Sequence, residues 1–407
     1  MRLTRLVDVT AVLLAVSCSD PPVSSRSRVW DSAGIRIVDN ARPIWRSGAG
    51  WRLGAYPILD IGGADSGPEY QFEQISHLAV LGNGTIAVTD MAAREVHFFD
   101  PPGEPLARRG GEGKGPGEFD FLWGLAVLGS RAYAYDPHST RLTVFDSVGS
   151  YLEAVTLEAP EGYRPMFEYY LVGARSSDLI FSPRLFTPAF GQGVSVYRDS
   201  SPNLAFTPNG RFKEEVGEPS GADMFVGSQG GSSVPFSTVS LIAVAEDRVF
   251  MSHGKSFEVR AFSGPGPPSA IYRRPHTPSP VTDGDLQNAI AAHLRMAGAS
   301  SSKDPRFEGF IRMMESAPLP PSMPSIDRLL VDKLGFLWCR EYRPPYEEGP
   351  TQWTVFSPDG DWLGDLTFPA GFRVGVIGAD YVLGVFTDSL DVEHIWELPL
   401  TRNQGSS

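Results

Sequence analysis

Five side chains able to bind a cation stand at one repeated point of the sequence, where a short apolar run gives way to a polar turn. They are Asp90, Asp136, His253, Glu341 and Asp388. Oxygen ligands suit a hard cation such as Ca²⁺. If these points surround one axis, the candidate calcium ligands are Asp90, Asp136, Glu341 and Asp388. The alternative for Asp90 and Asp136 is structural, because an aspartate beside a turn accepts backbone N–H groups.

Two of these positions depart from the aspartate that the other units carry. His253 and Glu341 are less easily explained as turn residues, because a turn needs only the short carboxylate of aspartate. Arg340 and Arg343 lie close to Glu341 in the sequence and can reach the same surface. We therefore expect a ligand to be bound by His253, Glu341, Arg340 and Arg343.

The elements that position these residues form a repeat. An aromatic residue, three turn residues and a glycine recur in Phe99–Gly103, Phe145–Gly149, Phe206–Gly210, Phe262–Gly266 and Phe356–Gly360. The copies follow short runs in which apolar and polar residues alternate, a pattern that indicates β-hairpins. Four strands in a unit of about 45 residues are typical of a propeller blade.

The repeat predicts an all-β fold over residues 34–402: a six-bladed β-propeller with four antiparallel strands per blade. The last blade lacks an outer strand, and we expect Ile35–Val38 to pair with residues 392–398 and close the ring, which hides two free edges. A long interval at about residues 280–320, where Thr282 can cap a helix, predicts a helical insertion before blade five. This insertion either covers the rim or gates a ligand site.

The N-terminus has the pattern of an export signal. Residues 1–17 combine two arginines with an apolar run that is too short to span a bilayer. Ala15-Val16-Ser17-Cys18 resembles the bacterial lipobox, whose cysteine receives a lipid. We expect a lipid anchor at Cys18, a tether over 18–33 and a short tail at 403–407, which gives a cell-envelope protein at the outer membrane or on the periplasmic side. A plain secretory signal is the alternative.

Composition and motifs exclude several classes of function. The 407-residue chain has a net charge of −13 and no basic stripe, which argues against nucleic acid as a partner. Two cysteines form neither a disulfide framework nor a cysteine zinc site. The sequence contains no Walker A loop, no HExxH and no Gly-x-Ser-x-Gly motif. No motif therefore identifies a particular catalytic chemistry.

The loops that lead into the first two units resemble those between NHL-type repeats. They are Gly62-Gly-Ala-Asp-Ser-Gly-Pro-Glu-Tyr-Gln-Phe72 and Gly110-Gly-Glu-Gly-Lys-Gly-Pro-Gly-Glu-Phe119. Over about residues 30–402 the chain resembles bacterial secreted six-bladed β-propellers of this kind, a resemblance that implies a fold and hardly any chemistry. Two functions stay open. One is a non-catalytic envelope protein that needs no cofactor and binds a protein, peptide or glycan at the channel mouth. The other is a calcium-dependent hydrolase resembling the lactonase and gluconolactonase group.

Overall fold

The computed structural model describes residues 26–46, 49–63, 66–184, 195–227, 230–299 and 304–402. The expected signal peptide at 1–17, the lipidation site Cys18 and the tail at 403–407 lie outside the described residues. Within these ranges, no helix has the length and apolarity that a membrane crossing requires.

Four short strands precede the repeated part of the chain. They are β1 (Ser27–Ser32), β2 (Ile35–Asn40), β3 (Arg52–Leu53) and β4 (Leu59–Gly62). β1 and β2 pair as an antiparallel hairpin. The expected tether over 18–33 is therefore too long, because β1 already belongs to the folded part of the protein.

The remaining strands form antiparallel meanders, which we number as sheets 1 to 6 in chain order. Sheet 1 contains β5 (Ile75–Val80), β6 (Ile86–Asp90), β7 (Glu95–Phe99) and β8 (Pro105–Gly110). Sheet 2 contains β9 (Leu125–Leu128), β10 (Arg131–Asp136), β11 (Arg141–Phe145) and β12 (Tyr151–Thr156). Sheet 3 contains β13 (Tyr169–Ala174), β14 (Leu179–Pro183), β15 (Ser195–Phe206), β16 (Phe212–Gly227) and β17 (Gly230–Ser233).

The second half of the chain adds two helices between sheets. Sheet 4 contains β18 (Leu241–Val244), β19 (Val249–Ser252), β20 (Glu258–Phe262) and β21 (Ala270–Arg273), and is followed by α1 (Asp283–Met296) and α2 (Glu308–Glu315). Sheet 5 contains β22 (Ile326–Val331), β23 (Leu337–Glu341), β24 (Thr351–Phe356) and β25 (Trp362–Phe368). Sheet 6 contains β26 (Phe372–Ile377), β27 (Tyr381–Thr387), β28 (Glu393–Thr401) and, as its outer strand, β4.

The six sheets formed by the described residues surround one axis. Their first strands contact one another in a closed cycle, β5 to β9, β13, β18, β22, β26 and back to β5. An apolar cluster fills each interface between neighbouring sheets, and the cycle ends with a cluster that joins sheet 6 to sheet 1. Each sheet thus buries both faces against its neighbours, which explains why every residue of β6 and of β14 is buried. The architecture is a β-propeller.

The ring closes through β4, and the expected pairing of Ile35–Val38 with residues 392–398 is wrong. β28 pairs antiparallel with β4, with Ile395 opposite Ile61. β2 instead pairs parallel with β21, with Ile37 opposite Ile271. The reason is connectivity: β4 leads directly into sheet 1, as the outer strand of every other sheet leads into the next.

The helices pack against loops and do not extend a sheet. Thr282 is the N-cap of α1 and forms a capping box with Asp285. Leu286, Ile290 and Leu294 lie buried in a cluster that includes Phe236, from the connection between sheets 3 and 4. Tyr342 and Tyr346, which follow β23, pack against the same cluster. The two helices are therefore attached to the rim beside sheets 3 to 5.

Candidate functional site

The first strands of the sheets line a cavity on the propeller axis. Its volume is about 390 Å³, within the range of small-molecule sites. A larger cavity of about 1060 Å³ continues towards the opposite face, and Leu78, Leu125, Leu330 and Gly375 line both. A Cβ at Gly375 would lie 2.8 Å from Cδ1 of Leu78, so the glycine allows β26 to approach β5 closely. Leu78, Leu125 and Leu330 thus form an apolar section, here called the apolar waist, where the two cavities meet. The polar and aromatic lining of the smaller one is Ser76, His77, Trp123, Tyr170, Asp327, Arg328 and Arg373.

Two of the arginines near this cavity have acceptors, and the third has none. Nε of Arg340 donates to Oδ1 of Asp327 at 2.6 Å, and Nη2 of Arg373 donates to the carbonyl oxygen of Ile75 at 2.6 Å. Within the described part of the chain, Arg328 forms no hydrogen bond and no ion pair. Burial, and then the charges of Arg340 and Arg373, lower the pKa of Arg328 to about 10. Its guanidinium therefore stays charged at neutral pH.

A neutral imidazole lies in the same cavity wall. Burial, followed by the positive charges of Arg373 and Arg328, lowers the pKa of His77 to about 4. Its Nδ1 is buried and has no hydrogen-bond partner among the described residues. An unpartnered buried nitrogen is unfavourable in the free protein. The ring of His77 therefore contributes a neutral, desolvated group to the cavity wall.

Aromatic side chains form one side of the cavity. The ring centroids of Trp123 and Tyr170 are 5.2 Å apart, and His77 meets Trp123 edge to face at 6.1 Å. Phe121 stacks on Trp123 at 5.8 Å, and Arg184 lies 5.0 Å above the ring of Tyr170. This row fixes the shape of the wall and offers apolar surface next to the charged groups.

The aspartates that the repeat singled out bind the backbone. Oδ2 of Asp90 accepts from the N–H of Glu73 at 2.7 Å, and Oδ2 of Asp136 accepts from the N–H of Asp120 at 2.8 Å. In both sheets the carboxylate joins the incoming loop to the end of the second strand. Asp388 accepts backbone N–H groups of its own turn, and these hydrogen bonds lower its pKa.

The candidate calcium ligands do not come together in this structure. In the described ranges, no group of three or more His, Cys, Asp or Glu side chains is placed to hold a metal ion. The expected convergence of Asp90, Asp136, Glu341 and Asp388 on the axis therefore does not occur. The physical reason is that they end second strands, whereas side chains of the first strands occupy the space around the axis.

The candidate ligand-binding residues also lie outside both cavity walls. Glu341 forms an ion pair with Arg274, whose guanidinium lies 3.7 Å from the ring centroid of Phe257. Arg343 donates to the carbonyl oxygen of Gly349. Arg340 belongs to the ion pair with Asp327 described above.

His253 belongs to a separate polar group. Its Nε2 lies 3.2 Å from Oε1 of Glu218, and its Nδ1 lies 3.5 Å from Oγ of Ser240. Nη2 of Arg198 is also 3.5 Å from Nδ1. The structure thus places His253 apart from Glu341, Arg340 and Arg343, and gives it acidic and hydroxyl neighbours.

The residues that sequence reasoning missed are Arg328, His77, Trp123 and Tyr170. One signal was available in the sequence, because Arg328 interrupts the apolar strand pattern of Ile326–Val331. A charged residue in the strand nearest the axis has to face the channel or be buried between sheets. The repeat drew attention to the aspartates instead, because they recur and Arg328 does not.

No protein-family model matches this chain, and no curated protein sequence matches it. Among solved structures, an exported protein from Bacteroides fragilis matches with 11% identity over 90% of this chain and 100% of the other, at a TM-score of 0.49. Virginiamycin B lyase from Staphylococcus aureus matches with 10% identity over 87% and 100%, at a TM-score of 0.42. A gluconolactonase from Xanthomonas campestris matches with 15% identity over 92% and 95%, at a TM-score of 0.41. At these identities and TM-scores, the similarities assign no activity to this chain.

Proposed function

We propose that this protein is a six-bladed β-propeller of the NHL-like kind, with a helical insertion before blade five, that binds a ligand through a negatively charged group in its axial cavity. The ligand is an acidic peptide, protein segment or glycan, and the shared chemistry is a carboxylate. The proposal requires no cofactor.

The observation that carries this proposal is the free guanidinium of Arg328. The guanidinium is half-buried in the cavity wall, and the charge of Asp327 offsets only part of the cost of desolvation, which is unfavourable for a cation. The neighbouring charges of Arg340 and Arg373 add to this effect in the same direction. A bound carboxylate supplies both the missing charge and the missing hydrogen-bond acceptor, and the planar guanidinium can bind it with two hydrogen bonds.

The rest of the cavity supports a ligand of moderate size. The neutral ring of His77 lines the cavity beside the charged group. Trp123 and Tyr170 provide apolar surface for the adjoining part of the ligand. The apolar waist at Leu78, Leu125 and Leu330 limits how far the ligand enters along the axis.

Isothermal titration calorimetry tests this proposal with matched probes. Acetylated tryptophan dipeptides with a free C-terminal carboxylate, and short oligomers of galacturonic acid, are titrated beside their carboxamide counterparts. We expect carboxylate probes to bind and Arg328→Gln to weaken binding about 10- to 100-fold, since hydrogen bonds to charged groups contribute about 1.5–3 kcal/mol.

Arg295→Gln on α1 is the matched control, because it removes the same charge from an exposed position. It should leave the affinity unchanged. Equal affinities for carboxylate and carboxamide probes, or equal losses in Arg328→Gln and Arg295→Gln, would contradict the proposal. Lactone hydrolysis that a calcium chelator abolishes would support the hydrolase alternative instead.

We also propose that the protein is anchored in the cell envelope by a lipid on Cys18. The lipobox-like Ala15-Val16-Ser17-Cys18 supports this proposal. Labelled palmitate should be incorporated into the wild-type protein and not into Cys18→Ala. Incorporation at the same level in both would contradict it.

A further inference from the structure

A second polar site lies beside sheet 4, outside the axial cavity. Ser240, His253 and Glu218 follow one another in space, with 3.5 Å between Oγ of Ser240 and Nδ1 of His253, and 3.2 Å between Nε2 of His253 and Oε1 of Glu218. We propose that these side chains form an acyl-transfer site that hydrolyses carboxylic esters, with Ser240 as the nucleophile. This activity goes beyond the proposed binding function.

Glu218 faces the imidazole of His253. Its Oε2 accepts from Nη1 of Arg260 at 2.8 Å, which holds the carboxylate in place. Its Oε1 is buried, accepts no hydrogen bond from any described residue, and lies 3.2 Å from Nε2 of His253. The proton of the neutral imidazole is therefore best placed on Nε2, on the side of this carboxylate, where a small rotation of the ring would complete the hydrogen bond. The lone pair on Nδ1 then points to Ser240.

Arg198 supports the same tautomer. A guanidinium only donates hydrogen bonds, and Nη2 of Arg198 lies 3.5 Å from Nδ1 of His253. In the neutral imidazole Nδ1 is therefore the acceptor, and Nη2 turns to Oγ of Ser240, 3.4 Å away, when Nδ1 takes up a proton. Glu218 and Arg198 thus act on opposite sides of the ring and favour one arrangement of its proton.

The hydroxyl group of Ser240 has its proton free for His253. Its Oγ accepts from the backbone N–H of Gly221 at 2.9 Å and from Nη2 of Arg198 at 3.4 Å. Within the described part of the chain, Nδ1 of His253 is the acceptor left for its O–H. The distance of 3.5 Å is longer than in a working complex, and such contacts shorten when substrate binds. The N–H of Gly221 and the guanidinium of Arg198 stabilise negative charge on Oγ and on the atoms next to it.

A substrate can reach this site. His253 exposes 40% of its side chain, and Ser240 is only partly buried. Ser240 immediately precedes Leu241, which belongs to the wall of the axial cavity.

The glycine at position 221 keeps Arg198 in place. A Cβ at Gly221 would lie 2.8 Å from Nε and 3.1 Å from Cζ of Arg198, so any other residue would displace the guanidinium. The same glycine donates its N–H to Ser240. Gly221 therefore donates one hydrogen bond to Ser240 and leaves the space that the second donor, the guanidinium of Arg198, occupies.

The reaction proceeds through an acyl-enzyme. His253 accepts the hydroxyl proton of Ser240 on Nδ1 while Oγ bonds to the ester carbonyl carbon. The bond from that carbon to the alcohol oxygen then breaks, and the proton passes from Nδ1 to the departing alkoxide. Water adds to the acyl group with His253 again accepting a proton, and the acid leaves as the Oγ proton returns.

Hydrolysis of p-nitrophenyl acetate by the full chain tests this proposal. We expect Ser240→Ala and His253→Ala each to lower the rate by about 100-fold or more, since general-base catalysis contributes at least that factor. A fluorophosphonate probe should label Ser240, and imidazole in solution should partly restore His253→Ala. Ser263→Ala, which removes a hydroxyl group from a turn in sheet 4, is the matched control and should have no effect.

Glu218 is a positioning residue, and its variant needs a different readout. Glu218→Gln should lower kcat and leave KM close to the wild-type value, because the amide no longer favours the imidazole tautomer that accepts the Ser240 proton and does not touch the substrate. Ser240→Cys keeps an acceptor for Gly221 and should react with iodoacetamide faster than Ser240→Cys combined with His253→Ala.

Three outcomes would overturn the proposal: a fluorophosphonate label on another residue, a wild-type rate equal to that of Ser240→Ala, or equal alkylation of the two cysteine variants. The binding proposal is tested separately. Arg295→Gln should keep the esterase rate, and Ser240→Ala should keep the affinity for carboxylate probes.

Discussion

The ring is closed by the four-residue strand β4, in which Ile61 is the one fully buried residue. Ile61 in β4 is opposite Ile395 of sheet 6 and is 2% exposed. It packs in the cluster that also contains Val88 and Phe99 of sheet 1. The side chain therefore joins the last sheet to the first, and we predict that Ile61→Ala destabilises the whole propeller.

The expected loss of stability follows from burial. Truncating a fully buried isoleucine to alanine lowers the free energy of unfolding by about 2–5 kcal/mol, depending on how far the cavity collapses. The neighbours come from two sheets held by their own hydrogen bonds, which limits collapse. We therefore expect a value in the upper half of this range.

Ile58→Ala is the matched control, since it is the same substitution three positions earlier. Ile58 is 66% exposed, and exposed substitutions usually change stability by less than about 0.5 kcal/mol. Urea titration followed by tryptophan fluorescence gives both values from the shift of the midpoint. Equal midpoints for the two variants would refute β4 as the strand that closes the ring.

Two further predictions concern buried charge. Asp332 accepts four hydrogen bonds, including one from Nε1 of Trp338 at 2.9 Å. Asp332→Asn should therefore lower the free energy of unfolding by about 3 kcal/mol in a urea titration, whereas Asp359→Asn, at an exposed position, should not change it. Equal values for the two variants would contradict a stabilising role of the Asp332 hydrogen bonds. Burial and the nearby arginines lower the pKa of His77 to about 4, so it is neutral in the free protein at pH 7. An anion bound at Arg328 favours protonated His77 and raises its pKa in the complex, so the affinity for a sulfated probe should increase as the pH falls from 7 towards 4. Calorimetry in His77→Gln should show no such increase, and an increase that persists would place the titrating group elsewhere.

The turns of the propeller could be predicted from the sequence because the backbone conformation at one position of each turn favours glycine. Gly103, Gly149, Gly210 and Gly360 all have positive φ, between 80° and 97°. A Cβ at each would also collide with a neighbouring residue, and at Gly360 it would lie 2.2 Å from Cδ1 of Tyr272. Two independent constraints act on one residue, so the same pattern recurs in sheet after sheet.

The closing strand was not readable because it is short and its partner is distant in sequence. Leu59–Gly62 has four residues, too few to show alternation. Ile35–Asn40 has a clearer pattern and an equally plausible partner in any sheet with a free edge. The pairing of two such short strands depends on the rest of the fold. Here β2 pairs with the unpaired edge of β21, and β4 pairs with β28 because it leads directly into sheet 1.

The ligand site was missed for the opposite reason. Asp90 and Asp136 recur because each holds the incoming loop of its own sheet through a backbone N–H group, so repetition marked the scaffold. Arg328 and His77 occur once, on two different first strands, and only the ring brings them to one cavity. In a repeat fold, a polar residue on the strand nearest the axis is therefore a better indication of a site than one shared by all units.

The N-terminal strands β1 and β2 lie, along the chain, between the proposed lipid anchor and β4, the strand that closes the ring. After β1 and β2 pair along the edge of sheet 4, the N–H groups of Ile44 and Trp45 donate to carbonyl oxygens of Trp362 and Leu363 in sheet 5, at 2.9 and 2.7 Å. Only then does the chain reach sheet 6 as β3 and β4. Force applied through a tether at Cys18 would first have to break the hairpin and these hydrogen bonds. The strand that closes the ring is thereby protected from movement of the anchor.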